Sequence, residues 1–242
     1  MDNRNLLYGL VALAIALGFG SCVVGRGIGE VRRPDEAITV TGSAKRPIRA
    51  DFVIWRASVG IQSPSVVTAS SELRTEATRV RQFLRANGVS DSMLTVKPIE
   101  TYAVPEVVEN GRETGRIIAY RLTQQFEVRS ADVDAITALS QKAGDLMAEG
   151  VGLSSQAPEY LYTKLADLRV SLIEDATRDA KLRAEAIAKS TGGAVGSVRQ
   201  ARVGVFQITP RFSTEITDYG MNDVSAVEKD VTAVVHVTFA LR

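Results

Sequence analysis

Apolar positions along this chain recur with two spacings, and the switches between them mark out its elements. Residues 165–191 carry the longest helical pattern beyond the first 25 residues, with Leu168, Leu172, Ala176, Ala180, Ala184 and Ala188 returning every fourth position and no internal Gly or Pro. Acid-before-base pairs sit four apart on the other face: Glu174 with Arg178, Asp179 with Arg183, Glu185 with Lys189. The alanines give the packed face little bulk, so a sheet or second helix can approach its backbone closely, and Gly192-Gly193 supplies the left-handed stop. Residues 65–87 repeat the pattern through Leu73, Ala77, Val80 and Leu84 as far as Gly88. Residues 131–148 repeat it through Ile136, Leu139, Ala143, Leu146 and Met147, with Ser130 or Asp132 as the cap.

Between these stretches the period falls to two. Residues 37–44 set Ile38, Val40 and Gly42 against threonines and a serine, and residues 52–62 set Val53, Trp55, Ala57, Val59 and Ile61 against polar positions, so two half-buried strands are expected to pair as neighbours. Residues 93–108 and 114–129 predict a long hairpin turning at Asn110-Gly111. Ile118, Tyr120, Leu122, Phe126 and Val128 are expected on its inner face, and Arg121, Thr123, Gln125 and Glu127 on its outer one. Its outer end, 104–115, carries Val107 and Val108 beyond what a core needs and is a candidate contact surface. Further strands are expected over 159–163, 194–207 and 229–241, the last alternating Val231, Ala233, Val235, Val237, Phe239 and Leu241 against Thr232, His236 and Thr238. Residues 208–226 are the least regular, and a loop of that length in a compact domain is usually functional or disordered. Phe212, Tyr219 and Met221 within it are candidate interface anchors, being aromatic or flexible apolar residues of the kind enriched there. The sum is an α+β fold, mainly antiparallel sheets packed by three helices.

Residues 6–24 hold no charge and would span about 28 Å as a helix, roughly the hydrocarbon thickness of a bilayer. Three readings stand for this segment: an uncleaved anchor, a cleaved signal, and a lipoprotein site at Cys22. Arg26, Arg32 and Arg33 follow it while only Arg4 precedes it, which by the positive-inside rule would keep the body cytoplasmic, although long domains are exported despite flanking charge. The expected organisation is a membrane or signal segment over 1–25, a linker with Gly27, Gly29 and Pro34 over 26–35, and one α+β domain over 36–242.

A charged fraction of 24% and a formal charge of +1 give no bias toward nucleic acid. One cysteine, Cys22, rules out an intrachain disulfide and a cysteine-based metal site, and one histidine, His236, removes His-rich zinc sites. No Walker loop, GxGxxG, HExxH, GxSxG or CxxC motif is present. The glycines of 25–29 follow an apolar run and precede no helix, and Glu174, Asp175 and Asp179 are interleaved with bases in the manner of a solvated ion-pair face. No catalytic, metal or cofactor-binding residue is therefore assigned.

Three stretches, ITVTGSAKRPIRADFVIWRASV from Ile38, YRLTQQFEV from Tyr120 and EDATRDAKLRAEAIAKSTGGAVGSV from Glu174, resemble the SIMPL domain family of bacterial envelopes. The third is the most specific, with its Asp-Ala spacing, its Arg-Ala-Glu-Ala run and its glycine-ended exit. The resemblance implies an exported or periplasmic α+β domain behind a signal or anchor, with relatives that form rings or channel-like oligomers and others linked to oxidative stress tolerance; it carries over no catalytic residues. The expectation is a non-enzymatic homo-oligomer at the inner membrane with its folded domain in the periplasm, or a soluble periplasmic form if the signal is cleaved. The alternative is a binding module for a small ligand or an envelope protein.

Overall fold

The computed structural model describes residues 36–242 except positions 110 and 216. Its elements in chain order are strands β1 (Ala37–Arg49) and β2 (Phe52–Ser63), helix α1 (Val66–Ala86), strands β3 (Leu94–Val96), β4 (Glu100–Val107) and β5 (Glu113–Ser130), helix α2 (Val133–Ala148), strands β6 (Leu153–Ser155) and β7 (Glu159–Leu161), helix α3 (Leu165–Ser190), and strands β8 (Val195–Val203), β9 (Gln207–Pro210), β10 (Met221–Asn222) and β11 (Glu228–Leu241). The described residues form an α+β fold, with three helices and sheets dominated by antiparallel pairs. The anchor or signal expected over residues 1–25 lies outside the described residues. Among the described residues no helix is long and apolar enough to cross a membrane.

Two compact units divide the described chain, and each has its own packing logic. The larger comprises residues 43–175 and 204–234 and holds a six-stranded sheet in the order β3-β5-β2-β6, with β4 added on β5 and β7 on β2. In sequence β2, α1, β3, β5, α2 and β6 run as βαββαβ, and their antiparallel order is that of the split, ferredoxin-like motif. The alternation of β2 puts Val53, Trp55, Ala57 and Val59 on one face, where they meet Leu122, Phe126 and Val128 of β5 and the stripes of α1 and α2. Each leucine so buried contributes about 1.5 to 3 kcal/mol, enough to fix which face of each helix is turned inward. Trp55 is a core residue, and its indole N–H donates to the Ser155 hydroxyl at 3.0 Å. Ser65 caps α1 by accepting from the Thr68 N–H, and Asp132 caps α2 by accepting from that of Ala135.

Several expectations change here. The first two strands do not pair as neighbours: β1 pairs with β11 in the five-stranded sheet, whereas β2 pairs with β5, β6 and β7 in the six-stranded one. The connection between them is no hairpin turn, because the Ala50 N–H donates to the Val227 carbonyl and the Asp51 carboxylate accepts from the Thr163 N–H and hydroxyl. The first arm of the long hairpin is two strands, β3 and β4, separated at Lys97-Pro98-Ile99, where proline cannot donate to a ladder. Its turn falls partly on Asn110, outside the described residues, while Gly111 adopts a positive φ of 77° and donates its N–H to Val108. The stretch 208–226 is more ordered than its composition suggests, since Ile208 and Thr209 are buried in β9 and Met221 begins the short β10, parallel to β9.

The smaller unit takes the described chain through Gly42 together with residues 176–203 and 235–242. Here β8 pairs antiparallel with β11 across two irregularities, and Thr39 and Thr41 of β1 lie against Thr238 and His236. The alanine stripe is buried throughout at Ala176, Ala180, Ala184 and Ala188. It allows the close approach that its small side chains predict: a Cβ at Gly42 would lie 2.7 Å from the Ala180 Cβ and would run into the Ala176 carbonyl and the Ala180 amide nitrogen. Outside the stripe, Arg183 pairs with Asp179 at 2.9 Å, while Glu185 pairs back to Lys181 at 3.7 Å.

Candidate functional site

Three surfaces of the larger unit set themselves apart by exposure or buried charge. The first is the outer end of the β4–β5 hairpin. Residues 113–118 of β5 are exposed one after another, so both faces of the strand are open at that point, and facing β4 exposes Tyr102 and Val107. Val107 and Val108, singled out in the sequence, are both exposed here, and Ile117 and Ile118 join them. Ile118 was expected to face inward. It does not, because burial on β5 begins only at Ala119, where the ribbon enters the sheet.

The second surface is the loop from Arg211 to Gly220. Phe212 is 82% exposed and Tyr219 97% exposed, whereas Met221 is half-buried in β10 and separates from the pair it was grouped with. Phe212 is also the one described non-glycine residue with a positive φ, at 65°, a left-handed conformation that costs about 1 to 3 kcal/mol. Its N–H is held by the carboxylate of Asp230 at 3.3 Å, and Asp230 is held in turn by Lys45 at 2.9 Å. Burial pushes the Asp230 carboxyl up, but Lys45, the Phe212 N–H and the charge of Arg211 together hold it below the usual aspartate value. The Arg211 guanidinium stands 5.2 Å from the Phe212 ring centroid. A partly buried ion pair thus fixes the strained residue that displays the aromatic ring. The loop is further tied down by Gln207, which donates its amide N–H to the Thr217 carbonyl at 2.6 Å.

The third surface is a cleft of about 280 Å³ lined by Tyr160, Leu161, Tyr162, Thr163, Leu165, Ile208, Asn222, Asp223 and Lys229. Lys229 is 1% exposed. It lies in phase with Val231, Ala233, Val235, Val237 and Phe239, on the inward face of β11, so the alternation that builds the core also buries an ammonium group. A buried charge must be paired, and Lys229 donates to the Asp223 carbonyl and to its carboxylate, the latter at 2.8 Å. Asp223 accepts in addition from the hydroxyl and N–H of Ser225 and from the N–H of Ala226. Burial pushes this carboxyl up, but the four donors outweigh it and hold it down at about 2. Sequence reading passed over Lys229, although its place in the alternation was the signal that could have found it.

Two other places bring polar or charged side chains together, and the second, around His236, lines a more open cleft of about 430 Å³ with Thr39, Gln200, Arg202 and Thr238. On the β2–β5 ladder Arg56 stands opposite Glu127, and its guanidinium donates to Glu127 at 2.8 Å and to Glu159 at 2.6 Å. Glu127, expected to point to solvent, is 3% exposed because Arg56 and Arg129, the latter at 2.7 Å, close over it. The Arg56 hydrogen bond holds the Glu127 carboxyl below its usual range despite burial. In the smaller unit His236 is exposed, with Nδ1 2.9 Å from the Thr41 hydroxyl. Among the described residues no group of three His, Cys, Asp or Glu side chains could hold a metal ion.

Comparison with known proteins adds a family and little more. The family model described as SIMPL, protein of unknown function (DUF541), matches residues 38–239. No curated protein matches. Among solved structures, a putative amidohydrolase/peptidase from Burkholderia cenocepacia aligns at 17% identity over 63% of this chain and 34% of its own, with a TM-score of 0.23. This chain therefore spans about a third of that protein's length, and the likeness carries no argument about fold or activity.

Proposed function

The chain belongs to the SIMPL family, and from that premise we propose that it is a non-enzymatic cell-envelope protein that self-assembles into a homo-oligomer. In this reading residues 6–24 hold it at the inner membrane, with the folded body in the periplasm. The observation that carries the proposal is the hairpin end, where Tyr102, Val107, Val108, Ile117 and Ile118 are exposed and residues 113–118 of β5 are open on both faces. A two-stranded ribbon is marginally stable by itself in water, and exposed apolar residues on it favour a contact that covers them. The Phe212 and Tyr219 loop offers a second contact, since aromatic side chains are enriched in interface cores. A second copy is the partner that needs no further component.

The test is the absolute mass of the full chain in lipid nanodiscs and in mild detergent, measured by light scattering over a hundredfold range of concentration. A discrete multimer is expected, falling to a monomer in a Tyr102→Asp, Ile117→Asp double variant whose melting temperature stays within a few degrees of the parent. A parent chain that is monomeric throughout would end the proposal. Phe212 and Tyr219 should be replaced one at a time, because excising 212–221 would also remove the Thr217 carbonyl that Gln207 holds and the first residue of β10. The stress-tolerance role implied by the family resemblance is tested separately, by the survival of a deletion strain in peroxide.

A further inference from the structure

We propose that the cleft beside Lys229 and Asp223 is a binding site for a small uncharged acyl compound, a primary amide or a peptide carbonyl on a short apolar chain. Size comes first. At about 280 Å³ the cleft is at the lower end of ligand pockets, which run from about 300 to 1,000 Å³, so a fragment-sized molecule fits and a nucleotide does not. Its walls are mixed in the manner of such sites: Leu161, Leu165 and Ile208 are apolar, and the polar groups are few.

The hydrogen-bond inventory then selects the chemistry. Asp223 has four donors converging on its carboxylate, which leaves it no capacity for a ligand cation, and Thr163 spends both of its protons, N–H and hydroxyl, on Asp51. Lys229 has three N–H donors and two protein acceptors, both supplied by Asp223. The Tyr162 hydroxyl and the Asn222 amide make no hydrogen bond to described residues, although both residues line the cleft. Asn222 and Thr163 are exposed and can pair with water, whereas the unspent N–H of Lys229 is on a buried group, so a ligand that meets it must bring an acceptor.

Charge decides which acceptor. The Lys229 ammonium is already matched by the ionised Asp223, and a ligand carboxylate would set a second negative charge beside a buried pair that is neutral as it stands. A carbonyl oxygen satisfies the third ammonium N–H without that addition. Its chain would lie along Leu161, Leu165 and Ile208, with Tyr162 and Asn222 able to complete the contacts to the polar end. The proposal is independent of self-assembly, since the exposed residues of the hairpin end line no part of the cleft.

The experiment uses the full chain in nanodiscs, titrated with butyramide, butyrate and butanol, three probes of equal chain length that differ in the polar end. Binding is read by ligand-observed saturation-transfer NMR, with empty nanodiscs as the blank. Saturable butyramide binding is expected, at least tenfold tighter than butyrate. Tyr162→Phe, which removes one hydroxyl, should weaken it about fivefold, the size expected for one lost hydrogen bond. Leu165→Trp, which fills the cleft from the helix side, should abolish it. Circular dichroism of both variants shows whether the fold is kept. Tighter binding of butyrate than of butyramide would overturn the assignment of an uncharged ligand. No saturable binding of any probe, or butyramide binding untouched in a folded Leu165→Trp variant, would overturn the site itself.

Discussion

Replacing Gly42 by alanine adds one methyl group, and the structure says where it would go. A Cβ at that position would lie 2.7 Å from the Ala180 Cβ, and it would also meet the Ala176 carbonyl oxygen and the Ala180 backbone nitrogen. Carbon atoms in good contact sit about 3.5 to 4.0 Å apart, so α3 would have to retreat by roughly 1 Å. Gly42 is not among the glycines with positive φ, so it is required for space and not for conformation. Without the clash, the substitution should stabilise the fold by about 0.4 to 1 kcal/mol through the unfolded chain. Overpacking typically costs about 1 to 3 kcal/mol, and because two of the three obstructing atoms are backbone the upper end applies, about 3 kcal/mol. With a urea slope of about 3 kcal/mol per molar, the unfolding midpoint should fall by about 1 M. The assay is urea denaturation followed by far-UV circular dichroism. Adding Ala180→Gly removes one obstructing carbon, leaves the Ala176 carbonyl in place, and should not restore stability. An unchanged or raised midpoint in Gly42→Ala would refute the close packing of helix and strand.

Three further outcomes are expected. Asp223, held at about 2 against an ordinary 3.8, contributes about 2 kcal/mol of stability above pH 4 that is lost as pH falls through its folded value; Asp223→Asn should therefore flatten the acid limb of a melting-temperature profile between pH 5 and 2, and an identical limb in the variant would count against the pair. Glu127→Gln leaves Arg56 without its buried carboxylate partner and should cost about 2 kcal/mol, a fall in melting temperature of about 4 to 8 °C by scanning calorimetry, whereas a change within 1 °C would mean the ladder pair adds nothing. Phe212→Gly releases a left-handed residue and should leave the monomer as stable as before, or up to about 1 kcal/mol more stable, while lowering the assembled fraction seen by light scattering; lost stability would place the ring in the fold and not in a contact.

Helices were the most legible part of this sequence, because a stripe of four-residue spacing ended by glycine needs no distant information. All three helices lie within two residues of where the spacing puts them, and the alanine stripe foretold a close neighbour without naming Gly42. Strand partners were not legible. The alternation of β1 says that one face is buried but not against what, and its partner β11 is the last strand in the chain. Of the contact candidates, Val107, Val108, Phe212 and Tyr219 are exposed, while Met221 is drawn into β10 by pairing with Gln207. The cleft was invisible for a related reason: Lys229 shows its phase in β11, but Asp223, Tyr162 and Ile208 come from separate segments that only the fold brings together.

The pairing of the first described strand with the last has a consequence for how the protein is made. No contiguous stretch of chain contains the smaller unit, whose pieces lie through Gly42, over 176–203 and over 235–242. A ribosome must therefore have released the chain through residue 238 before Thr39 and Thr41 can both meet Thr238 and His236. Until then the apolar alternation of β1 stays unpaired, and closing a loop of nearly two hundred residues makes this step slow compared with forming the helices. The elements of the larger unit from β2 to β6 are contiguous over 52–155, so its core can form first and the smaller unit closes last.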